Sequence, residues 1–331
     1  MKALVTGGGG FLGRYIVEKL LEKGEEVSIF CRGEYPELER LGVKVIRGDL
    51  RDREGVKDAI KGQELVFHVA SKIDMFGRYE DFYDINVAGT QNVVDGCIKW
   101  NVIKLIYTST ASVVFNGKDM KGVDESTPYP NKYLSPYPKT KMLAEQIVLN
   151  ANGCNSLKTT ILRPHLICGP RDPSLAPRLI KLARKGKLPI IGKGKNKLDI
   201  TYVENVADAH ILASESPKSA GQVYFISQGK PVVPWDLLQK LFSQLDIPPI
   251  KRKIPYKLAY AGGAILEFFF KLIRIRKKEP LITRFLASEL AKSHYFDISK
   301  ARKELGYEPR IGLEEGLEQY VGYYLTQDQK N

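Results

Sequence analysis

The first thirteen residues constrain the fold of this chain more strongly than any other segment. A short apolar run at Lys2–Thr6 leads directly into the glycine-rich stretch TGGGGFLG, and apolar residues then recur at helical spacing over Phe11–Lys23. Glycines between a strand and a helix permit a tight turn and a close approach of backbone to a pyrophosphate, which the free N–H groups of the helix N-terminus bind. The pattern predicts a dinucleotide-binding turn. A P-loop is excluded because no Gly-Lys-Ser/Thr sequence follows.

The first half of the chain continues this alternation of strand and helix. Short runs rich in β-branched and aromatic residues are typical of buried strands, and the segments between several of them have helical spacing. Parallel strands need a crossover connection, usually a helix, so the order predicts an α/β chain with a doubly wound parallel-sheet Rossmann fold. The predicted strands are 2–6, 26–31, 43–47, 64–69, 103–108 and 159–163, and the predicted helices are 11–23, 52–61, 80–99 and 139–151.

The composition changes after Gly169, which indicates a second domain. Pro, Gly and Lys crowd the next stretch of the chain, a helix and a strand then return, and the remainder is mainly helical. We predict a Rossmann domain that binds NAD(P) and a smaller, mostly helical C-terminal domain that forms the substrate-binding site or a lid. The predicted boundaries are 1–168 for the Rossmann domain, which 198–228 rejoins with a helix at 203–214 and a strand at 222–227, and 169–197 with 229–331 for the second domain.

The end of the second predicted strand distinguishes the two nicotinamide cofactors. An enzyme that uses NAD usually has an acidic residue there for the ribose 2′-hydroxyl, whereas an arginine suits the 2′-phosphate of NADP. This strand ends in Ile29-Phe30-Cys31-Arg32-Gly33, with a basic residue and no acid. The sequence therefore favours NADP(H) with Arg32 as a cofactor-binding residue, and NAD(H) is the alternative.

Three side chains indicate acid–base chemistry at the same edge of the sheet. Tyr137 and Lys141 are four residues apart and so share one helix face, with Ser135 as the predicted N-cap. An ammonium near a phenol favours the phenolate and lowers its pKa. Thr110 lies just beyond the strand at 103–108, where its hydroxyl can hold a substrate oxygen. The alternatives are a surface pair of Lys141 with Glu145 and simple packing of Tyr137.

The formal net charge of +13 is concentrated in one segment. Residues 251–278 hold nine Lys or Arg and one Glu, and basic runs flank the mostly apolar stretch Leu258–Ile273. Two interpretations stay open: a lid helix over the substrate cleft, or a monotopic anchor that places its apolar face in lipid headgroups and its cations on anionic lipid. The aromatic residues cluster at 268–270 instead of alternating with charges, so we predict no binding of nucleic acid.

Cysteine and histidine spacing argues against a metal or disulfide framework. The four cysteines form no CxxC pair, and the four histidines show no HxxxH or HxxEH spacing. We predict no metal site, and buried, reduced thiols in a cytoplasmic protein. No stretch of 18 uncharged apolar residues occurs, so we expect no membrane-spanning helix and, at most, monotopic association with a membrane.

Further motifs extend these features along nearly the whole chain, and together they resemble the extended short-chain dehydrogenases/reductases. The YPKTK, LRPHLICGP and NKLDITYVENVADAH segments narrow the resemblance to the 3β-hydroxysteroid dehydrogenase-like branch, which holds bacterial sterol dehydrogenases and the β-ketoacid reductase of olefin biosynthesis. The motifs are TGGGGFLG at 6–13, GDLRD at 48–52, HVAS at 68–71, NVAGT at 86–90, YTSTASVVF at 107–115, YPKTK at 137–141, LRPHLICGP at 162–170, YVENVADAH at 202–210 and DISKARKELGYEP at 297–309.

The resemblance implies roles for individual residues. Tyr137 is expected to exchange a proton with the substrate oxygen, Lys141 to bind the nicotinamide ribose and lower the pKa of Tyr137, and Thr110 to hydrogen-bond the substrate oxygen. Ser109 and Ser112 lie nearby in the sequence, so it stays open which of the three hydroxyls bonds the substrate oxygen. The implied cofactor residues are Gly7, Gly10, Phe11 and Leu12 at the pyrophosphate, Asp49 and Leu50 at the adenine, Ala70 and Ser71 along the groove, and Pro164 and His165 near the nicotinamide.

The leading functional hypothesis is an NADP(H)-dependent oxidoreductase that acts on a long apolar ketone or secondary alcohol, either as a 2-alkyl-3-ketoalkanoate reductase or as a 3β-hydroxysteroid dehydrogenase-like enzyme. A nucleotide-sugar epimerase or dehydratase is the alternative, but a dehydratase normally has an acid directly after the catalytic hydroxyl, and Ala111 and Ser112 follow Thr110. A non-catalytic NADP sensor is the third possibility, although the chain keeps Tyr137 and Lys141. The resemblance also implies a homodimer formed through the helices at 80–99 and 139–151.

Overall fold

The computed structural model describes residues 1–173, 175–273 and 279–328. Its largest element is a seven-stranded sheet in which every pairing is parallel. Within the described residues the strands are β1 (Lys2–Thr6), β2 (Glu26–Cys31), β3 (Lys44–Arg47), β4 (Leu65–His68), β5 (Lys104–Thr108), β6 (Met120–Val123), β7 (Lys158–Pro164), β8 (Ile167–Cys168), β9 (Ile190–Ile191), β10 (Thr201–Tyr202), β11 (Gln222–Ile226), β12 (Lys253–Ile254) and β13 (His294–Phe296).

The order of strands in this sheet is β11-β7-β5-β4-β1-β2-β3. It confirms the predicted doubly wound Rossmann fold, because the chain moves outward from β1 on one side and then returns to build the other side from β4. Ligands of such sheets bind in the crevice at the carboxyl ends of the strands, where this reversal of order leaves a gap between neighbouring crossover connections. The gap here lies between β1 and β4.

Helices connect most of these strands and cover both faces of the sheet. The helices are α1 (Phe11–Glu22), α2 (Pro36–Glu39), α3 (Arg53–Ile60), α4 (Tyr79–Tyr83), α5 (Gly89–Lys99), α6 (Pro136–Asn150), α7 (Leu175–Arg184), α8 (Val203–Glu215), α9 (Pro234–Gln244), α10 (Tyr256–Leu272), α11 (Arg284–Ala291), α12 (Ser299–Leu305) and α13 (Leu313–Asp328).

Apolar side chains alternate between the two faces of the sheet and form two clusters. Leu4 and Val66 lie in the cluster under α3, α5 and α6, whereas Val5 and Phe67 lie in the cluster under α1 and α8. Successive strand residues point to opposite faces, so a strand buried on both sides reads as a continuous apolar run. This is why the central strands were predictable to within a residue or two.

The predicted helix at 80–99 is not one α-helix. Residues Asp84–Ala88 form a π-helical turn between α4 and α5. The wider turn carries Asn86, whose side-chain amide donates to the carbonyl oxygen of Lys72 at 3.0 Å and to the hydroxyl of Thr140 at 3.1 Å. π-Helical turns inside α-helices are frequent at functional sites. Here the turn joins the loop after β4 to α6.

The second half of the chain contains more strands than its sequence indicates. The part after 229 contains α9 to α13, as expected, together with the short strands β12 and β13. β13 pairs in parallel with β6, and β12 with β9, so segments distant in sequence are held together by two-stranded sheets. β11 joins the central sheet next to β7. The boundaries of the predicted substrate domain stay a prediction.

The cysteine prediction is partly wrong. The four thiols are unpaired and Cys31 and Cys97 are buried, but Cys154 is exposed because it lies in the turn after α6. Among the described residues, no helix is both long enough and apolar enough to cross a bilayer.

Candidate active site

The predicted site residues gather at the carboxyl edge of the sheet. Each of the residues concerned ends a strand or follows one directly, or lies on α6 close to this edge. Parallel strands present their carboxyl ends on one side, so residues far apart in sequence meet there. They are Gly7 and Gly10 after β1, Phe11 and Leu12 at the start of α1, Arg32 after β2, Asp49 and Leu50 after β3, Ala70 and Ser71 after β4, Thr110 after β5, Pro164 and His165 at the end of β7, and Tyr137 and Lys141 on α6.

The glycine turn has the shape that a pyrophosphate requires. Gly7 has a φ of 71°, and a Cβ at Gly13 would lie 2.2 Å from the carbonyl oxygen of Gly7. Side chains larger than hydrogen are therefore excluded at Gly13, and strain opposes them at Gly7. Helix α1 begins at Phe11, and its N-cap residue Gly10 has no side chain that could cap it. Its first amides point outward as anion donors, so the residues present fit the diphosphate of a dinucleotide.

Tyr35 is a neighbour of this turn that the sequence analysis missed. A Cβ placed on Gly9 would lie 2.1 Å from the ring of Tyr35, so only glycine lets the ring pack against the turn. The segment between β2 and α2 thereby folds over the turn at the adenosine end of the predicted groove. A Tyr three residues after Arg32 carries no sequence signal for this contact, which depends on the path of the loop.

Charged residues cluster where the adenosine part of the cofactor is expected. Arg51 donates two hydrogen bonds to the carboxylate of Asp49, at 2.9 and 2.8 Å, and these bonds lower the pKa of Asp49 to about 2. The positive charge of the exposed Arg32 contributes to the same shift, which places it near Asp49. Leu50 is buried beside Gly89. The negative charge of Asp49 is thus balanced by Arg51 and Arg32.

Thr110 and Tyr137 form the centre of the candidate site. Ser135 caps α6, since its hydroxyl accepts from the amide of Tyr137 at 3.3 Å, which confirms the predicted start of the helix. The hydroxyl of Thr110 accepts from the amide of Ser112 at 3.2 Å and hydrogen-bonds the Tyr137 phenol. Among the three hydroxyls left open by the sequence, Thr110 is the one with a described bond to Tyr137.

Lys141 lies directly below this pair, one helical turn along α6. Its ammonium donates to the carbonyl oxygen of Thr108 at 2.6 Å and lies 4.2 Å from the ring centre of Tyr107. The side chain is 1% exposed, and burial lowers the pKa of Lys141 to about 7. The alternative of a surface pair with Glu145 is wrong, because both side chains are buried and Glu145 bonds other partners.

The expected lowering of the Tyr137 pKa does not occur in this structure. Burial raises the pKa of Tyr137 to about 12, the hydrogen bond from Thr110 lowers it in part, and the carboxylate of Glu289 raises it further. The physical reason is desolvation of the phenolate, which outweighs a lysine whose ammonium is directed at the Thr108 carbonyl. Tyr137 therefore holds its proton, as a donor of that proton must.

A buried ion pair that the sequence analysis missed holds α6 on the sheet. Arg163 on β7 donates from Nε and Nη2 to the two carboxylate oxygens of Glu145, at 2.9 and 2.7 Å, and Tyr129 donates to the same carboxylate at 2.6 Å. The side chains of Arg163 and Glu145 are 4% and 0% exposed. Glu145 lies one turn beyond Lys141, so the pair fixes the helix that carries the site.

His165 directly follows β7, and its predicted position near the nicotinamide stays a prediction. The ring is buried and bonds His294, 129 residues later in the chain. His165, Glu289 and His294 are a group of side chains whose ligand atoms lie within 4.8 Å of one another. The two histidine nitrogens are 2.7 Å apart, a hydrogen-bond distance, whereas two nitrogens on one tetrahedral zinc ion at ~2.0–2.1 Å must be farther apart.

Comparison with known proteins extends these observations. Residues 4–257 match the sequence model of the 3-beta hydroxysteroid dehydrogenase/isomerase family. The 2-alkyl-3-oxoalkanoate reductases of Shewanella oneidensis and Stenotrophomonas maltophilia are each 44% identical, over 95% and 96% of this chain and 84% and 97% of their own length. The mouse decarboxylating sterol-4-alpha-carboxylate 3-dehydrogenase is 38% identical over 97% of this chain and 90% of its own. These relatives are named as reductases and dehydrogenases.

Solved structures show the same fold. MoeE5 in complex with UDP-glucose and NAD superposes with a TM-score of 0.78 over 99% of both chains, at 25% identity. The protein gox2253 superposes with a TM-score of 0.80 over 98% of both chains, at 26% identity. The matched family, the sequence relatives and the Thr110–Tyr137–Lys141 geometry agree with one another. The chain belongs to the 3-beta hydroxysteroid dehydrogenase/isomerase family, within the extended short-chain dehydrogenases/reductases.

Proposed function

We propose that this protein is an NADP(H)-dependent reductase of 2-alkyl-3-oxoalkanoates. The observation that carries the proposal is the Thr110–Tyr137–Lys141 arrangement at the carboxyl edge of the sheet. It occurs in a chain that is 44% identical to reductases of that name. The names of the reductase and of the sterol-4-alpha-carboxylate dehydrogenase share one chemical feature. In both, the reacting carbon is next to the carbon that carries the carboxylate.

The reaction adds one hydride and one proton to the ketone. NADPH, which the glycine turn at Gly7 and Gly10 and the side chain of Lys141 would hold, would supply the hydride for the carbonyl carbon. Tyr137 gives its phenolic proton to the carbonyl oxygen, which becomes the hydroxyl of a secondary alcohol, while Thr110 hydrogen-bonds the same oxygen and steadies the phenol. The ammonium of Lys141 donates to the Thr108 carbonyl oxygen and is a hydrogen-bond donor at the nicotinamide end of the groove. A proton from solvent then restores Tyr137.

The nucleotide-sugar epimerase or dehydratase is the second candidate, because the fold matches MoeE5 bound to UDP-glucose and NAD. Two features of this chain argue against it. Ala111, a buried alanine, follows Thr110 where a dehydratase has an acid. Helix α10 presents an apolar face, described below, that suits a lipid-like substrate better than a sugar nucleotide.

A substrate panel tests the proposed function. The purified protein is assayed for NADPH and NADH oxidation with 2-alkyl-3-oxoalkanoates of several chain lengths and for NAD(P) reduction with sterols, and UDP-sugars are titrated by calorimetry. We expect turnover with the oxoalkanoates and little with the other classes. Turnover of sterols alone, or tight binding of a UDP-sugar together with its epimerisation, contradicts the proposal.

The preference for NADP(H) is expected to depend on Arg32. Replacing Arg32 by Asp puts an acid at the strand end and should raise KM for NADPH by about 10- to 100-fold, as expected for the loss of a hydrogen bond between charged groups, while KM for NADH falls. Steady-state kinetics with both cofactors measures the change. Arg40→Asp makes the same charge change on an exposed residue away from the strand end. Unchanged cofactor preference in Arg32→Asp contradicts this assignment.

We also propose that α10 docks on an anionic lipid surface. Leu258, Ile265, Phe268 and Leu272 recur at spacings of three, four and seven residues and are 57–66% exposed, so they form one apolar face. Exposed cations lie at both ends of the helix, at 251–253, Lys257 and Lys271. An apolar face between cations is the pattern of an interfacial helix, and the lid and the anchor can coexist in it.

Glu267 does not interrupt this apolar face. It is 5% exposed, and its carboxylate accepts from the amide of Arg284 at 2.6 Å and from the guanidinium at 2.7 Å. A Cβ at Gly263 would lie 2.7 Å from the Thr283 carbonyl carbon, so glycine lets α10 approach this segment closely. The single acid of the basic segment thus points into the protein. The outer face carries apolar and basic side chains.

The docking proposal predicts a loss of vesicle binding in Ile265→Ser/Phe268→Ser. Co-sedimentation with vesicles rich in phosphatidylserine should fall several-fold, and high salt should weaken the binding of the unmodified protein. Leu41→Ser, an exposed leucine on another surface, is the matched control. Unchanged binding in the double variant leaves only a lid. Arg274, Arg276, Lys277 and Lys278, which the sequence also favours for this role, lie outside the described residues.

A homodimer formed through α5 and α6 stays a prediction of the family resemblance. Light scattering of the purified protein across a concentration series tests it.

A further inference from the structure

The ring nitrogens of His165 and His294 form a continuous buried chain. His165 Nδ1 lies 2.7 Å from the carbonyl oxygen of Asp199, and His294 Nε2 lies 2.9 Å from the carbonyl oxygen of Glu289. Between the rings, His165 Nε2 lies 2.7 Å from His294 Nδ1. The side chains are 3% and 1% exposed, so water does not complete these contacts.

Two neutral imidazoles do not carry enough protons for the three contacts of this hydrogen-bond chain. A carbonyl oxygen only accepts, so both outer nitrogens must carry hydrogen. A neutral imidazole has one N–H, which leaves both inner nitrogens bare and two lone pairs facing each other at 2.7 Å. That contact is repulsive unless a further proton lies in it. We propose that His165 and His294 share a third proton and form a buried imidazole–imidazolium cation with Glu289 as its counter-ion.

Glu289 is placed to balance this charge. Its Oε2 lies 3.9 Å from His294 Nε2, and its Oε1 is buried with no hydrogen-bond partner among the described residues. Burial raises the pKa of Glu289 and lowers those of His165 and His294, because each charge alone would be poorly solvated. A proton that moves from Glu289 to the ring pair creates two opposite charges side by side, and their mutual attraction offsets part of the cost of desolvating each of them.

Two other carboxylates and two aromatic rings lie around the histidine pair. Asp199 Oδ2 accepts from the amide of Phe296 at 2.8 Å, Asp199 Oδ1 is buried without a hydrogen-bond partner among the described residues, and burial raises the pKa of this carboxyl to about 6. Asp119, in the segment before β6, raises the pKa of His294 to a smaller extent. The rings of Phe115 and Phe296 cover the imidazoles, at 4.9 Å from His294 and 5.3 Å from His165. Glu289 is the carboxylate grouped with the two histidines, since the ligand atoms of the three side chains lie within 4.8 Å of one another.

The cluster reaches the candidate active site through α11. Phe285 and Glu289 are four residues apart on the buried face of this helix, and the Phe285 ring contacts Phe115, which follows the Thr110 segment. The charge of Glu289 raises the pKa of Tyr137. An ionised Glu289 thus helps Tyr137 to keep the proton that ketone reduction needs. Glu289 is a positioning residue, because it acts on the reaction through Tyr137. This link between Glu289 and Tyr137 rests on the proposed function.

Nuclear magnetic resonance tests the shared proton without any substrate. The chain has four histidines, so long-range 1H–15N spectra of protein labelled at histidine are simple to assign. We expect protonated outer nitrogens on His165 and His294 and one strongly deshielded proton between the inner nitrogens, absent in His294→Asn. Buried His68 and His210, whose neighbours include a threonine hydroxyl that can donate or accept, serve as internal neutral controls. Bare inner nitrogens, or a stoichiometric metal ion removed by chelator, would falsify the proposal.

Glu289→Gln tests the counter-ion and keeps both rings, so it answers the question even where His294→Asn fails to fold. The pH at which the pair loses its third proton should fall by about one unit or more, since an opposite charge within ~4–6 Å shifts a pKa by ~1–3 units. The alkaline limb of kcat for reduction should also move to lower pH, because Tyr137 loses a nearby negative charge. Glu125→Gln, which removes a half-buried carboxyl whose pKa is also raised by desolvation, should move neither.

Two outcomes separate the parts of this inference. An unchanged titration of the ring pair in Glu289→Gln overturns the assignment of the counter-ion. A shifted titration with an unchanged kcat profile overturns the link to Tyr137 and leaves the shared proton standing. Absence of reductase activity in the unmodified protein contradicts only the proposed function, because the spectra do not depend on turnover.

Discussion

Tyr137→Phe is expected to lower kcat for ketone reduction by about 10²–10⁴-fold, the usual contribution of a positioned general acid. The substitution removes one hydroxyl and keeps the ring, so α6 and its cap at Ser135 should be unaffected. Cofactor affinity should change little, because the glycine turn and Lys141 remain. The expected result is therefore an enzyme that binds NADPH and substrate but hardly reacts, which separates loss of proton transfer from loss of binding.

Two measurements make this result decisive. Enhancement of NADPH fluorescence on binding measures cofactor affinity, and consumption of NADPH under saturating substrate measures kcat. Tyr83→Phe, an exposed tyrosine on α4, is the matched control and should retain full activity. Turnover by Tyr137→Phe within tenfold of the unmodified protein would show that another group supplies the proton, and the mechanism proposed above would be wrong.

Glu145→Ala is expected to destabilise the protein by about 3–5 kcal/mol, the usual effect of removing one partner of a buried ion pair. The substitution leaves the guanidinium of Arg163, 4% exposed, without the carboxylate that neutralises it, and it also removes the acceptor of Tyr129. The free energy of unfolding from urea denaturation measures the effect. Because Glu145 lies on α6, activity should fall as well, through displacement of Tyr137 and Lys141.

A second substitution distinguishes the ion pair from packing. Replacing Glu145 and Arg163 together by Met removes both charges and keeps apolar volume, and it should recover most of the stability lost in Glu145→Ala. Glu34→Ala removes an exposed partner of Arg47 and should leave the urea midpoint unchanged, since surface ion pairs contribute little. Equal stability of Glu145→Ala and the unmodified protein would mean that the pair is not a major support of α6.

The fold was predictable because its determinants act over short distances in sequence. Residues 2–13 specify a strand, a turn that only glycine tolerates and a helix, and the apolar runs that follow specify buried parallel strands. The N-cap at Ser135 and the placement of Thr110 after β5 were predicted for the same reason. The π-helical turn at Asp84–Ala88 was not, because its role is to carry Asn86 to partners 14 and 54 residues away.

The sequence by itself determined the Rossmann sheet, the glycine turn after β1 and the placement of the candidate acid–base residues Tyr137 and Lys141 on one helix face, since strand and helix periodicity and motif spacing are local properties. Only the tertiary structure decided which charges meet. Glu145 pairs with Arg163 and not with Lys141, Glu267 turns inward to Arg284, and His165 joins His294 across 129 residues. Partners of buried polar groups are chosen by packing, because desolvation forces each group to find whichever partner the fold brings within reach.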